Sequence, residues 1–271
     1  MKSRVARRIR EVNDMRNILT MLFRATLLLT MSLGTLSGLG AQENPAAVRD
    51  LPVRKEINRQ YQLAPNATVE ILTVPGPVEI ETISGQSAEI AIVNSGETQA
   101  DLNCFDTAIE QNPRKLVIRN KSLCSNARVN QRVMLKLPRN VNLDLETIAG
   151  DVRIGPTEGM VRLNSIAGKV STGPLQAAEM SSLASGLSIE INQLGERGVR
   201  LSSIVGGIEL GLSDSLNAQF VANSIIGDVV SDIPGIKLST DGQLDFKAQI
   251  GSGGPPINIS SVRGGIRLHS L

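Results

Sequence analysis

From Val141 to Leu271 the chain repeats one short phrase: Ser or Thr, an aliphatic residue, any residue, Gly, any residue, and a second aliphatic residue. Clean copies are Thr147-Ile148-Ala149-Gly150-Asp151-Val152, Ser165-Ile166-Ala167-Gly168-Lys169-Val170, Ser203-Ile204-Val205-Gly206-Gly207-Ile208, Ser224-Ile225-Ile226-Gly227-Asp228-Val229 and Ser261-Val262-Arg263-Gly264-Gly265-Ile266. Thr73-Val74-Pro75-Gly76-Pro77-Val78 is an earlier outlier. Two weaker copies fill the gaps, one with Ser185 at the glycine position and one with Thr240 at the aliphatic position before Gly242. The glycine positions then recur every 15 to 22 residues. Self-similarity at this spacing means stacked supersecondary units, each too small to bury its own apolar face. The predicted fold is all-β, a β-solenoid or β-helix-like roll of short strands. A β-propeller would need a period about twice as long.

Within each copy, apolar residues alternate with polar ones up to the hydroxyl residue and then change parity. Val161, Leu163 and Ser165 share one parity, and Ile166, Gly168 and Val170 share the other. The same reading applied to Ser203, Ser224 and Ser261 turns Ile204, Ile225 and Val262 inward. A strand has period two, so a switch of this kind requires a corner or bulge. The glycine after the switch supplies a positive φ or a close approach to the backbone of the next unit. Gly76, Gly150, Gly168, Gly206, Gly227, Gly242 and Gly264 are therefore expected to be structural. The hydroxyl is expected to bond a freed backbone group or to stack with its counterparts. A row of nucleophilic serines is the alternative, but no base recurs in register beside them.

Before the array, β-type alternation marks residues 68–72, 78–82, 89–93, 115–119 and 132–138 as strands. A short helical turn is read only near Gln176-Ala177-Ala178-Glu179. Residues 58–271 are expected to form one elongated domain, irregular over 58–140 and regular over 141–271. Aromatic residues make up 2% of the chain and Trp is absent. Sheets packed with Val, Ile and Leu need few rings, and the shortage leaves little for stacking sugars or bases.

The amino terminus reads as an export signal: basic residues to Arg24, an apolar stretch over 25–33, and Leu39-Gly40-Ala41 before a polar segment. Cleavage is expected after Ala41, and a start at Met15 would give a more ordinary basic region. An uncleaved membrane anchor is the alternative, although the apolar run is short and interrupted. Residues 42–57 read as a polar linker. Removing residues 1–41 lowers the basic count from 28 to 21 and the acidic count from 26 to 24, a balance of −3. A mildly acidic chain without a basic cluster argues against nucleic acid as a partner.

Cys104 and Cys124 are the only cysteines. In an oxidising compartment they read as a disulfide worth about 3 kcal/mol, since they have neither metal nor redox spacing.

Three segments carry a family resemblance: the strand pair around Val74-Pro75-Gly76, the run from Met134 to Ile154, and the closing run from Gly251 to Leu268. Together with the recurring Ser-Ile-x-Gly, they make residues 57 to 271 resemble the bacterial putative-adhesin family of exported β-solenoid domains. The resemblance implies a periplasmic, cell-surface or secreted interaction module, and it brings no catalytic residue and no cofactor. Ser185, Thr240 and the Cys pair depart from its pattern.

No Ser-His-Asp arrangement, zinc motif, Walker loop or EF-hand is present in the sequence. His269, the sole histidine, reads as a solvated residue of the last strand. A polysaccharide lyase-like groove is the enzymatic alternative, built from Asp144, Glu146, Asp151, Arg153, Arg162 and Lys169. Such charges more often form solubilising ladders. A partner is expected among envelope or extracellular proteins or polysaccharides. Homo-oligomerisation by end-to-end stacking is a third reading, because the array closes on Ile266–Leu271 without an evident cap.

Overall fold

The structure is a computed structural model describing residues 51–125, 127–182, 186–240 and 245–271. The signal peptide and most of the linker read from sequence, and Gly242, lie outside the described residues. The fold is all-β, a single hydrogen-bonded network of 20 strands that curls back into two faces and nearly closes like a barrel.

The chain crosses between the faces by strand pairs that meet at the repeated phrase. On the first face lie β1 (Val53–Gln62), β3 (Val78–Ile83), β4 (Ser87–Gly96), β7 (Val129–Pro138) and β9 (Val152–Ile154). They are followed there by β12 (Leu187–Ile191), β14 (Ile208–Leu212), β16 (Val229–Ser231) and β20 (Ile266–Ser270). On the second face lie β2 (Thr68–Val74), β5 (Phe105–Asn112), β6 (Lys115–Ser122), β8 (Asn142–Ile148) and β10 (Thr157–Ile166). It continues with β13 (Val199–Val205), β15 (Ala218–Ile226), β17 (Ser239–Thr240), β18 (Asp245–Ile250) and β19 (Pro256–Arg263). The 13-residue β11 (Val170–Ser182) serves both faces: its start pairs with β9 and β12, its end with β10 and β13. The region around Gln176–Glu179 is part of this strand, not a helical turn. Its first residues continue one face and its last the other, so pairing decides its conformation.

Spatial order differs from chain order at both ends. On the second face the parallel sequence runs β6, β2, β8, β10, β11, β13, β19, β15. On the first it runs β7, β3, β9, β11, β12, β14, β20, β16. The last strands of the chain, β19 and β20, are thus inserted between earlier ones. This corrects the expectation that Ile266–Leu271 forms an exposed end. Over Ile266–Leu268 both edges of β20 are paired, by β14 and by β16, so this stretch is not an open sheet edge. Antiparallel strands close the network instead: β4 and β1 beyond β7, β5 beyond β6, and β18 with β17 beyond β15. β1 begins at Val53, inside the segment read as linker, because Ile57 and Tyr61 pack against the core.

Alternation explains the core. Val161 and Leu163, Val199 and Leu201, and Ile257 and Ile259 point between the faces and are at most 4% exposed. The core is largely aliphatic, with Phe220 the one fully buried ring among the described residues. β-Branched side chains suit such strands because their fixed χ1 packs well on a pleated surface. One interior hydroxyl is left unsatisfied. Thr172, opposite Ile154, is 6% exposed, and its hydroxyl has no hydrogen-bond partner among the described residues. Thr172→Val keeps the shape and removes the unsatisfied group, so it is expected to stabilise the fold by about 1 kcal/mol. Calorimetry should show the midpoint rising by about 2–4 °C.

A short helix, α1 (Gln99–Asn103), covers the β1/β4 end, in a stretch for which the sequence predicts no element. Thr98 caps it: its hydroxyl accepts from the Asp101 amide at 3.2 Å, and Asp101 Oδ2 accepts from the Thr98 amide at 2.9 Å. The hydrogen bond from the Thr98 hydroxyl, then that from the Arg128 amide, holds the Asp101 carboxyl below its ordinary range. Cys104 follows the helix directly and is bonded to Cys124, tying α1 to the end of β6.

Candidate functional site

The repeated phrase forms a column of corners along one edge of the molecule, and the corners are of two kinds. In the first, the hydroxyl residue itself is left-handed: Thr73, Thr147 and Ser165 have φ of 60°, 58° and 57°. This local inversion turns the next aliphatic residue inward, so Val74, Ile148 and Ile166 are at most 1% exposed. The glycines of these corners serve close approach. A Cβ on Gly168 would run into the backbone of Gly150, one on Gly150 into Gly76, and one on Gly76 into the carbonyl of Gln131.

In the second kind the strand keeps its parity through the serine. Ser203, Ser224 and Ser261 are at most 3% exposed, and each hydroxyl donates to the carbonyl three residues on: Gly206 at 3.1 Å, Gly227 at 3.0 Å and Gly264 at 3.0 Å. These bonds hold the turn, which gives the serines a structural role. The left-handed step moves to the glycine, with φ of 121° at Gly206, 141° at Gly227 and 151° at Gly264. The two residues between are then forced out of the core. Ile204, Ile225 and Val262 therefore face solvent, correcting the expectation that they turn inward.

The outcome is an exposed aliphatic ridge. In register across three adjacent layers stand Ile204, Val262 and Ile225, and beside them Val205, Arg263 and Ile226. The five aliphatic side chains are 44–55% exposed. Next to the ridge runs a strip almost without side chains: Gly206, Gly264 and Gly227, then Gly207, Gly265 and Asp228. Backbone bonds link these layers, from Gly206 N–H to the Arg263 carbonyl at 2.9 Å and from Gly264 N–H to the Ile226 carbonyl at 2.8 Å. The ridge sets five exposed aliphatic side chains side by side at one corner of the fold. A sequence signal separates the two corners: the residue before the glycine is Pro75, Ala149 or Ala167 in the closed kind, and Val205, Ile226 or Arg263 in the open kind.

The charged residues expected to form a groove do not converge on one surface. Asp144, Glu146 and Arg162 belong to the second face and Arg153 to the first, while Asp151 and Lys169 sit at the corner between. There the Asp151 carboxylate accepts from the Lys169 amide at 2.9 Å. Arg162 and Arg200 flank Glu179, each at 3.9 Å, an exposed ladder of the solubilising kind. His269 lies beside Gly211, with its Nδ1 2.9 Å from the Ser270 carbonyl.

A depression of about 670 Å³ lies on the outer side of β1, β4, β7 and β3, with Ala91 and Met134 among its lining residues. Glu79, Glu81 and Glu89 also line it, and Lys136 is shared between Glu81 at 4.0 Å and Glu89 at 3.9 Å. No group of three His, Cys, Asp or Glu residues among the described residues is placed to hold a metal. Nor is any helix among them long and apolar enough to cross a membrane.

No family model and no curated protein matches this sequence. Among solved structures the chain is similar to a putative cell adhesion protein from Clostridium sporogenes, at 11% identity and a TM-score of 0.46, over 80% of this chain and 100% of that one. It is also similar to a putative adhesin from Bacteroides fragilis, at 15% identity and a TM-score of 0.39, over 82% and 99% of the two chains. A third is a putative lipid binding protein from Parabacteroides distasonis, at 10% identity and a TM-score of 0.27, over 80% and 96%.

Proposed function

We propose that the protein is an exported, non-enzymatic interaction module of the cell envelope or extracellular space, built as a β-solenoid that presents one corner to a partner. The observation that carries this reading is the aliphatic ridge. The same corner position is closed in three layers, with the aliphatic residue buried, and open in three others. A corner with only a structural task would keep polar residues where it faces water. Turning five aliphatic side chains outward costs stability unless something covers them.

The Cys104–Cys124 disulfide supports an oxidising compartment. In-register parallel pairing through successive layers on both faces supports the solenoid, whose rigid repeated units suit display of an extended surface.

The test is to fractionate the native host and to place photo-crosslinking residues at Ile225 and, as a control, at Glu146 on the second face. The mature chain, beginning near Gln42, is expected in the envelope or medium, with adducts formed from position 225 and not from 146. An uncleaved cytoplasmic chain would overturn export, and equal labelling at both positions would overturn the corner as the contact site.

A further inference from the structure

The ridge and the strip beside it fit each other, which names an occupant. Consider the corner as four successive residues in three layers. The first two rows are Ile204, Val262, Ile225 and Val205, Arg263, Ile226, and the last two are Gly206, Gly264, Gly227 and Gly207, Gly265, Asp228. Bulk thus fills one half of the surface, and nearly bare backbone the other half.

We propose that this corner pairs with the same corner of a second copy of the chain, around a two-fold axis parallel to the direction in which the layers stack. The proposal rests on the interaction-module reading above and specifies its partner. Rotation about that axis exchanges the first row with the fourth and the second with the third, and leaves each layer level with itself. Ile204 then lies over Gly207 of the second copy, Val205 over Gly206, Val262 over Gly265 and Ile226 over Gly227. Such an interface is isologous, each contact occurring twice.

Charge fits the same operation. Arg263 and Asp228 are the only charged residues on this surface, and neither side chain has an ion-pair partner among the described residues. Under the rotation, the Asp228 of each copy comes one residue and one layer away from the Arg263 of the other. That offset is about 3.3 Å along the strand and about 4.8 Å between layers, within reach of a guanidinium. The opposite rotation, about an axis along the strands, would set Arg263 against its own counterpart. The surface measures about 13 by 14 Å from the same spacings. With its flanks, it belongs to the small interfaces, below about 1,200 Å² in total, that come apart on dilution.

Sedimentation of the oxidised mature chain over a wide dilution series should show a monomer–dimer equilibrium. Val205→Asp with Ile226→Asp should abolish the dimer while leaving the monomer folded, with an unchanged far-ultraviolet spectrum, since both side chains are about half exposed. Geometry is read separately. An equimolar mixture of Val262→Cys and Gly265→Cys chains should oxidise to a mixed dimer, and neither variant should do so alone. A chain that is monomeric throughout, or a dimer indifferent to the aspartates, would overturn the proposal. If the monomer instead floats with phospholipid vesicles and the aspartates abolish flotation, the ridge serves a lipid surface: the dimer falls and the interaction reading stands. A monomer that neither floats nor forms adducts from position 225 would overturn both.

Discussion

Replacing Gly168 by valine is expected to lower unfolding free energy by about 4 kcal/mol, read as a fall in denaturant midpoint at unchanged slope. Gly168 is not left-handed, so φ is not the source of the cost. The source is the stacking of corners: any Cβ there would meet the carbonyl and carbonyl carbon of Gly150 in the layer below. Backbone cannot swing aside as a flexible side chain can, and relief would require breaking the 2.8 Å bond from the Ala167 amide to the Ile148 carbonyl. Gly85→Ala is the control. Gly85 has a φ of 104° with nothing within 4 Å of the added Cβ, so only conformational strain is incurred there, about 1 kcal/mol. Equal losses at the two sites would show that the corner column is not close-packed.

Much of this architecture is legible in the residues, for identifiable reasons. Strands such as β7 and β10 announce themselves because each has one buried and one wet face, and that asymmetry is written as period two. The glycine positions are legible because backbone contact admits no substitute. The disulfide is legible because only two cysteines exist. The two corner types are not separable by the phrase Ser-aliphatic-x-Gly, which is common to both. The deciding residue is x, small in one and bulky in the other, and its bulk matters only once the corner is placed against solvent. The insertion of β19 and β20 between β13/β14 and β15/β16 has no local signature, since neighbouring strands all carry the same inward pattern, as Leu201, Ile259 and Ala222 do. The helix α1 carried a readable signal, Thr98 three residues before Asp101, but five residues are too few for helical periodicity to show.

The end of the corner column leads to the second large effect. Below Gly76 the stack meets not another glycine but Gln131, fully buried, and the aliphatic core gives way to a polar cluster of three amides and a hydroxyl: Asn94 on β4, Thr107 on β5, Asn120 on β6 and Gln131 on β7. Gln131 is its hub. Its Nε2 has three acceptors within reach for its two N–H groups, Asn94 Oδ1 at 2.9 Å, Asn120 Oδ1 at 2.9 Å and Thr107 Oγ1 at 3.2 Å, and its Oε1 accepts from Asn120 Nδ2 at 2.8 Å. The cluster joins the two faces where the antiparallel strands close the network, and it is tolerated there because nearly every group is bonded. Gln131→Leu would strand Asn94 Oδ1 and Asn120 Nδ2 in the interior. Each stranded group costs about 1–3 kcal/mol, so the variant is expected to lose about 4 kcal/mol in urea unfolding. If unsatisfied polar groups are the cause, replacing Asn94, Thr107 and Asn120 by apolar residues of similar size in the same chain should return most of that loss, because no buried amide is then left without a partner. A single variant that loses under about 0.5 kcal/mol would mean that water reaches the cluster. The two faces would then be held at this end by the Cys104–Cys124 bond and α1, not by the amides.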